Sequence, residues 1–157
     1  MSRTLSAAMQ FVPIEKEIAE EARRTLRDRF GHNLCVQNTA APCISCLRIS
    51  PAPEALILLS YRPLADINPY AEIGPIFIHA QACQPYELLH VFPEDFLPRS
   101  LILRAYDYAG AIVDACISEP GNAEFHAGDF LKEPTVSEVH VRALTYTCFD
   151  FKITRAI

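Results

Sequence analysis

A chain of 157 residues, 50% of them hydrophobic and 21% charged, has the length and composition of one folded globular domain, not of a disordered tail. Its longest aliphatic run, Ala55 to Leu59, falls far short of the roughly 20 residues that cross a bilayer, which argues against a membrane protein. With 14 basic against 19 acidic residues the net charge is −5, so no global basic field favours nucleic acid.

The first residues carry one arginine, and the apolar stretch Leu5 to Val12 is broken by Ser6 and Gln10. A secretory signal needs an unbroken apolar run of about 7–15 residues, so the segment reads as mature protein and the expected location is cytoplasmic. Next, Ile14, Ile18, Ala22, Leu26 and Phe30 recur every four residues, which predicts a helix over about 14–30 between Pro13 and Gly31. Glu15 and Glu17 in its first turn, with Arg23, Arg24, Arg27 and Arg29 further on, suit the helix dipole. Glu20 and Glu21 share that helix, so the arginines read as a solvated face and not as a nucleic-acid patch.

Beyond Gly31 the chain is rich in proline, and most of its 12 prolines fall between candidate strands. Apolar patterning predicts strands at about Ala55–Tyr61, Ile73–Ala80, Leu101–Asp107, Ala111–Ser118, Glu138–Ala143 and Thr147–Thr154. Tyr108-Ala109-Gly110 is a hairpin signal, and a second helix is expected over Ala123–Leu131. Strands follow one another without alternating helices. The expected class is therefore α+β, a mainly antiparallel sheet with the N-terminal helix packed on it. Residues 1–157 read as a single domain, with the sheet-forming region over about 55–157.

Six cysteines occupy positions 35, 43, 46, 83, 116 and 148. Cys43-x-x-Cys46 is followed, after residues 47–78, by His79-x-x-x-Cys83. Three soft sulfurs and an imidazole are a ligand set that zinc takes up tetrahedrally. Four protein ligands close such a site, so the expected role is a structural zinc that staples loops. Two other readings stay open: these are buried apolar cysteines beside a strand-end histidine, or Cys43 and Cys46 form a redox dithiol. Cys35, Cys116 and Cys148 read as small buried hydrophobes.

In the last hairpin, Val139, Val141 and Ala143 alternate on one strand and Phe149, Phe151 and Ile153 on the next. Facing both sets toward one core pairs Ala143 with Thr147 across a three-residue loop. That register sets Glu138 opposite Lys152, His140 opposite Asp150 and Arg142 opposite Cys148. If covered, this face gathers Cys148, Arg142, His140 and Asp150 as a candidate catalytic or anion-binding group, with Cys148 activated by Arg142. If solvated, it holds ordinary cross-strand ion pairs. No nucleophile elbow, phosphate-binding glycine loop or HExxH motif occurs.

The blocks PCISCL (Pro42–Leu47), LILLSYRP (Leu56–Pro63), PYAEIGPIFIHAQAC (Pro69–Cys83), LILRAYD (Leu101–Asp107), AIVDA (Ala111–Ala115) and HVRALTYTCF (His140–Phe149) occur in order. Together they resemble the bacterial family known as domain of unknown function 1203. The resemblance implies a small bacterial protein and no particular activity. Family members often carry histidine where this chain has Arg142, and glycine where it has Thr147. The leading expectation is a small protein with a structural zinc site. The alternative is an enzyme or anion-binding protein using the last hairpin, with a small molecule or another protein as partner.

Overall fold

The computed structural model describes residues 9–156; residues 1–8, the start of the segment read as mature protein, and residue 157 lie outside the described residues. Among the described residues, eight strands and two helices run in the order β1 (Met9–Val12), α1 (Lys16–Thr25), β2 (Val36–Thr39), β3 (Glu54–Tyr61), β4 (Gly74–His79), β5 (Leu101–Asp107), β6 (Ile112–Ser118), α2 (Ala123–Leu131), β7 (Val136–Ala143) and β8 (Phe149–Arg155). A short 3-10 turn, Glu94–Phe96, precedes β5. The architecture is mostly antiparallel sheet with two helices, an α+β arrangement. The first helix is not the first element, because β1 comes before it. The strands divide into two sheets, ordered β1-β8-β7-β5-β6 and β2-β3-β4.

The helix expected over 14–30 ends at Thr25. Leu26 turns left-handed at φ 53° and donates its N–H to the carbonyl of Ala22, closing the last turn. Asp28 then organises the segment that was expected to be helical. Its carboxylate accepts from the backbone N–H groups of Phe30, His32 and Ser60, at 2.9, 3.0 and 3.0 Å. Burial would raise this carboxyl, but those bonds hold it at about 2. The every-fourth-residue stripe thus overran the helix. Leu26 and Phe30, its last two members, are exposed.

Two apolar cores result. In one, Phe11 of β1, Leu103 of β5, Val139 and Val141 of β7, and Phe151 and Ile153 of β8 pack against Ala123, Ala127 and Leu131 of α2. Phe92 and Phe96 close it from the loop, with the Phe96 and Phe151 rings edge to face at 5.2 Å. In the other, Ala19 and Ala22 of α1 meet Ile57, Leu59 and Tyr61 of β3 and Ile76 and Ile78 of β4. Phe149 joins this second core from β8, so the five-stranded sheet carries apolar contacts on both faces.

The last hairpin departs from the expected register. Val139 pairs with Ile153 and Val141 with Phe151, so the inward sets meet as expected but two residues further along β8. A bulge between Val141 and Arg142 then sets Arg142 opposite Phe149 and leaves Asp150 as the extra residue. His140 lies opposite Lys152, not Asp150; Glu138 lies opposite Thr154, not Lys152; and Arg142 lies opposite Phe149, not Cys148. The loop has four residues, closed by Ala143 N–H to the Cys148 carbonyl at 3.0 Å, and Thr147 in it is left-handed at φ 60°. Alternation alone rejects a four-residue loop. The bulge restores the parity that the loop upsets.

Candidate metal centre

The chain around Cys43 folds back on itself. Pro42 bridges Ile49, Cys43 N–H reaches the Arg48 carbonyl at 3.1 Å, and Leu47 N–H reaches the Cys43 carbonyl at 2.8 Å. Leu47 makes the reversal in a left-handed conformation, φ 58°. Ile44 N–H donates to the Phe77 carbonyl at 2.9 Å, which docks this knuckle along β4, the strand that ends in His79. The long gap between Cys46 and His79 is taken up by β3, which pairs with β4 and sets Leu56 opposite His79.

Folding therefore brings all four predicted ligands together. The Cys43, Cys46 and Cys83 sulfurs and a His79 ring nitrogen lie within 4.8 Å of one another. Cys43 Sγ is 3.8 Å from Cys83 Sγ, and Cys46 Sγ is 3.6 Å from His79 Nδ1. A tetrahedral ion bound at about 2.3 Å by sulfur and about 2.05 Å by nitrogen holds two sulfurs about 3.8 Å apart, and sulfur and nitrogen about 3.6 Å apart. A disulfide would bring two sulfurs to about 2.05 Å. All six cysteines are free, and Cys35 is exposed, contrary to its reading as a buried hydrophobe.

The surroundings orient the set. His79 Nε2 lies 3.0 Å from Glu54 Oε1, which leaves Nδ1 to face the sulfurs. His79 N–H donates to Cys43 Sγ at 3.3 Å. Arg23 of α1 donates from Nη2 to Cys83 Sγ at 3.4 Å and from Nε to the His79 carbonyl at 2.9 Å. Crowding sorts the protons. Hydrogen bonds from Cys43, then Cys46, hold the Cys83 thiol far below its usual range. Cys46 is pushed up, first by its bond with Cys43 and then by Cys83. Cys43 is raised too, because its bond with Cys83 and its burial outweigh the pull of Cys46. Burial would lower His79, but Cys83 and Glu54 together raise it.

A sequence model of the family described as "Protein of unknown function (DUF1203)" matches residues 40–155, from the knuckle to the end of β8. The chain belongs to the DUF1203 family. No curated protein and no solved structure matches it. All four sulfur and imidazole groups of this DUF1203 chain lie inside the matched stretch.

The other predicted group is covered but divided. His140, Arg142 and Asp150 are 1%, 6% and 2% exposed. His140 Nε2 meets Glu138 at 2.5 Å while its ring lies 4.3 Å from that of Tyr106. Burial lowers the His140 pKa, outweighing Glu138. Glu138 itself is lowered despite burial, by His140 and then by Lys152. Arg142 donates to the Thr147 carbonyl at 2.9 Å and stands 3.9 Å from Glu72. Burial, then Asp150, push the Cys148 thiol up against the opposing pull of Arg142. A raised thiol is a poor nucleophile, which is the reverse of the expected activation.

Cys148 and Asp150 line a cavity of about 660 Å³ between the knuckle, the start of β4 and the β7–β8 turn. His140 and Arg142 are not among its lining residues. Sequence reasoning missed Glu54 and Arg23 beside the sulfurs and Arg99 on the cavity wall. Nothing in their spacing marks them, since each reaches its place from a separate element.

Proposed function

We propose that the chain is a zinc-binding protein whose Cys43, Cys46, His79 and Cys83 hold one ion in a closed, structural site. The observation that carries the reading is the pair of spacings, 3.8 Å sulfur to sulfur and 3.6 Å sulfur to nitrogen, which match a tetrahedral set of three sulfurs and one nitrogen. Three thiolates and a neutral imidazole around a divalent ion leave a net charge of about −1. Arg23 stands against Cys83 to offset it. Such an ion, when bound, supplies cross-linking: it ties the knuckle to the end of β4 and to the segment after it. Residues 9–156 fold in this reading as one unit, with α1 packed over the three-stranded sheet, because Phe149 carries the second core onto the larger sheet. Six cysteines with no disulfide among them suit a reducing compartment, hence the cytoplasm.

The polar set Cys148, Arg142, His140 and Asp150 supports an enzyme less well. His140 and Arg142 face hydrogen-bonding partners inside the protein, and Cys148 is disfavoured as a thiolate. X-ray absorption at the zinc edge tests the metal reading. Three sulfurs at about 2.3 Å and one nitrogen at about 2.0–2.1 Å are expected. An all-oxygen shell would refute it.

A further inference from the structure

The cavity between the knuckle and the β7–β8 turn has its own chemistry, beyond the metal. Its volume, about 660 Å³, falls within the roughly 300–1,000 Å³ of small-molecule sites. Its wall is chiefly apolar, with Ile44 from the knuckle, Ile76 and Phe77 from β4, and Tyr146 and Phe149 from the last hairpin. Two charged side chains line it, Asp150 and Arg99. Asp150 is 2% exposed, and its Oδ2 is buried with no hydrogen-bond partner among the described residues. Arg99, half-buried, makes no side-chain hydrogen bond among the described residues and acts on Asp150 only through its charge. An unmet buried acceptor calls for a donor, and an unengaged guanidinium for a carboxylate.

We propose that this cavity binds an apolar zwitterion, an amino acid or short peptide, with its ammonium group on Asp150, its carboxylate on Arg99 and its side chain against Ile44, Ile76, Phe77 and Phe149. The apolar wall supplies burial, and the two charged groups fix orientation. A ligand with both ends meets both unengaged groups. One lacking the amine leaves the buried Asp150 carboxyl without a partner, and one lacking the carboxylate leaves Arg99 unengaged, which is how a polar site rejects an analogue. The arrangement does not use the metal, although the knuckle that carries Cys43 and Cys46 also provides Ile44.

The test uses the full-length, metal-loaded protein labelled with nitrogen-15. It is titrated with L-phenylalanine and with phenylalanyl-leucine, then with 3-phenylpropionate, which lacks the amine, and phenethylamine, which lacks the carboxylate. At least one zwitterion is expected to move the amides of Ile76, Phe77, Phe149 and Asp150 and to bind about tenfold or more tightly than either truncated analogue. Tighter binding of the amino acid or of the dipeptide tells which source the site takes. In Asp150→Asn, phenylalanine and phenylpropionate should bind alike; in Arg99→Gln, phenylalanine and phenethylamine should. Arg99 is half-buried and unbonded, so its variant keeps the test open if Asp150→Asn fails to fold. Amides that stay still with both zwitterions at about 10 mM would leave Asp150 to internal water and overturn the proposal. So would a truncated analogue that binds as tightly as the tighter of the two zwitterions.

Discussion

Burying Asp150 in the bulge of β8 makes a stability prediction with a definite sign. Its pKa rises from 3.8 to about 7, first by burial and only partly offset by Arg99 and Arg142. The folded state therefore keeps a proton that the unfolded chain gives up above pH 3.8. Below that value the carboxyl is neutral in both states and carries no penalty. As pH rises from there to about 7 stability falls, and above 7 the loss is complete. A shift of about three units at 1.36 kcal/mol each is about 4 kcal/mol. Asp150→Asn removes the titration. Its amide N–H groups need partners in the same buried place, which takes back about 1–3 kcal/mol. The variant should match or fall up to about 2 kcal/mol below the natural protein near pH 4.5 and stand about 1–3 kcal/mol above it by pH 8. Comparing the two by urea unfolding at each pH cancels whatever the metal and the other groups contribute. A stability difference that does not change between pH 4.5 and 8 would refute the reasoning, because it would mean that Asp150 titrates alike folded and unfolded.

Other changes follow from the same geometry. Glu54→Gln keeps the shape but weakens the carboxylate that holds His79 Nε2; zinc affinity by dye competition should fall roughly 10–100-fold, and an unchanged affinity would remove Glu54 from the site. Cys148, with its thiol raised, should react with iodoacetamide at pH 7.5 more slowly than free cysteine, and a faster rate would contradict the burial argument. Thr147→Gly should raise stability by about 1 kcal/mol in thermal unfolding, since a β-branched residue at φ 60° is strained and glycine is not. A lower melting temperature would show that the loop derives more from the threonine than strain removes.

What the sequence disclosed depended on whether one segment or several made the feature. The β5–β6 hairpin was legible because Tyr108-Ala109-Gly110 carries its turn locally, and Gly110 takes φ 82°. The extent of α2 was legible for the same reason. The end of α1 was not, because the apolar stripe continues past Leu26 while the turn is fixed by Asp28 reaching Ser60, far along the chain. β1 and β2 escaped notice: Met9–Val12 is four residues long, and Val36–Thr39 is an edge strand with little apolar patterning. The four sulfur and imidazole groups stood out because two short motifs announce them. The cavity did not, since Ile44, Phe77, Arg99 and Asp150 come from separate stretches. The hairpin register failed for a sharper reason: a one-residue bulge undoes any pairing argued from alternation.

Metal content per chain, measured by native mass spectrometry on tag-free protein purified without chelator, tests the central claim most directly. One zinc per chain, lost together with several kcal/mol of stability in Cys83→Ser, is the predicted result. A metal-free chain whose melting curve is the same in the natural protein and in Cys83→Ser would contradict it, and would return Cys43, Cys46, His79 and Cys83 to ordinary core packing.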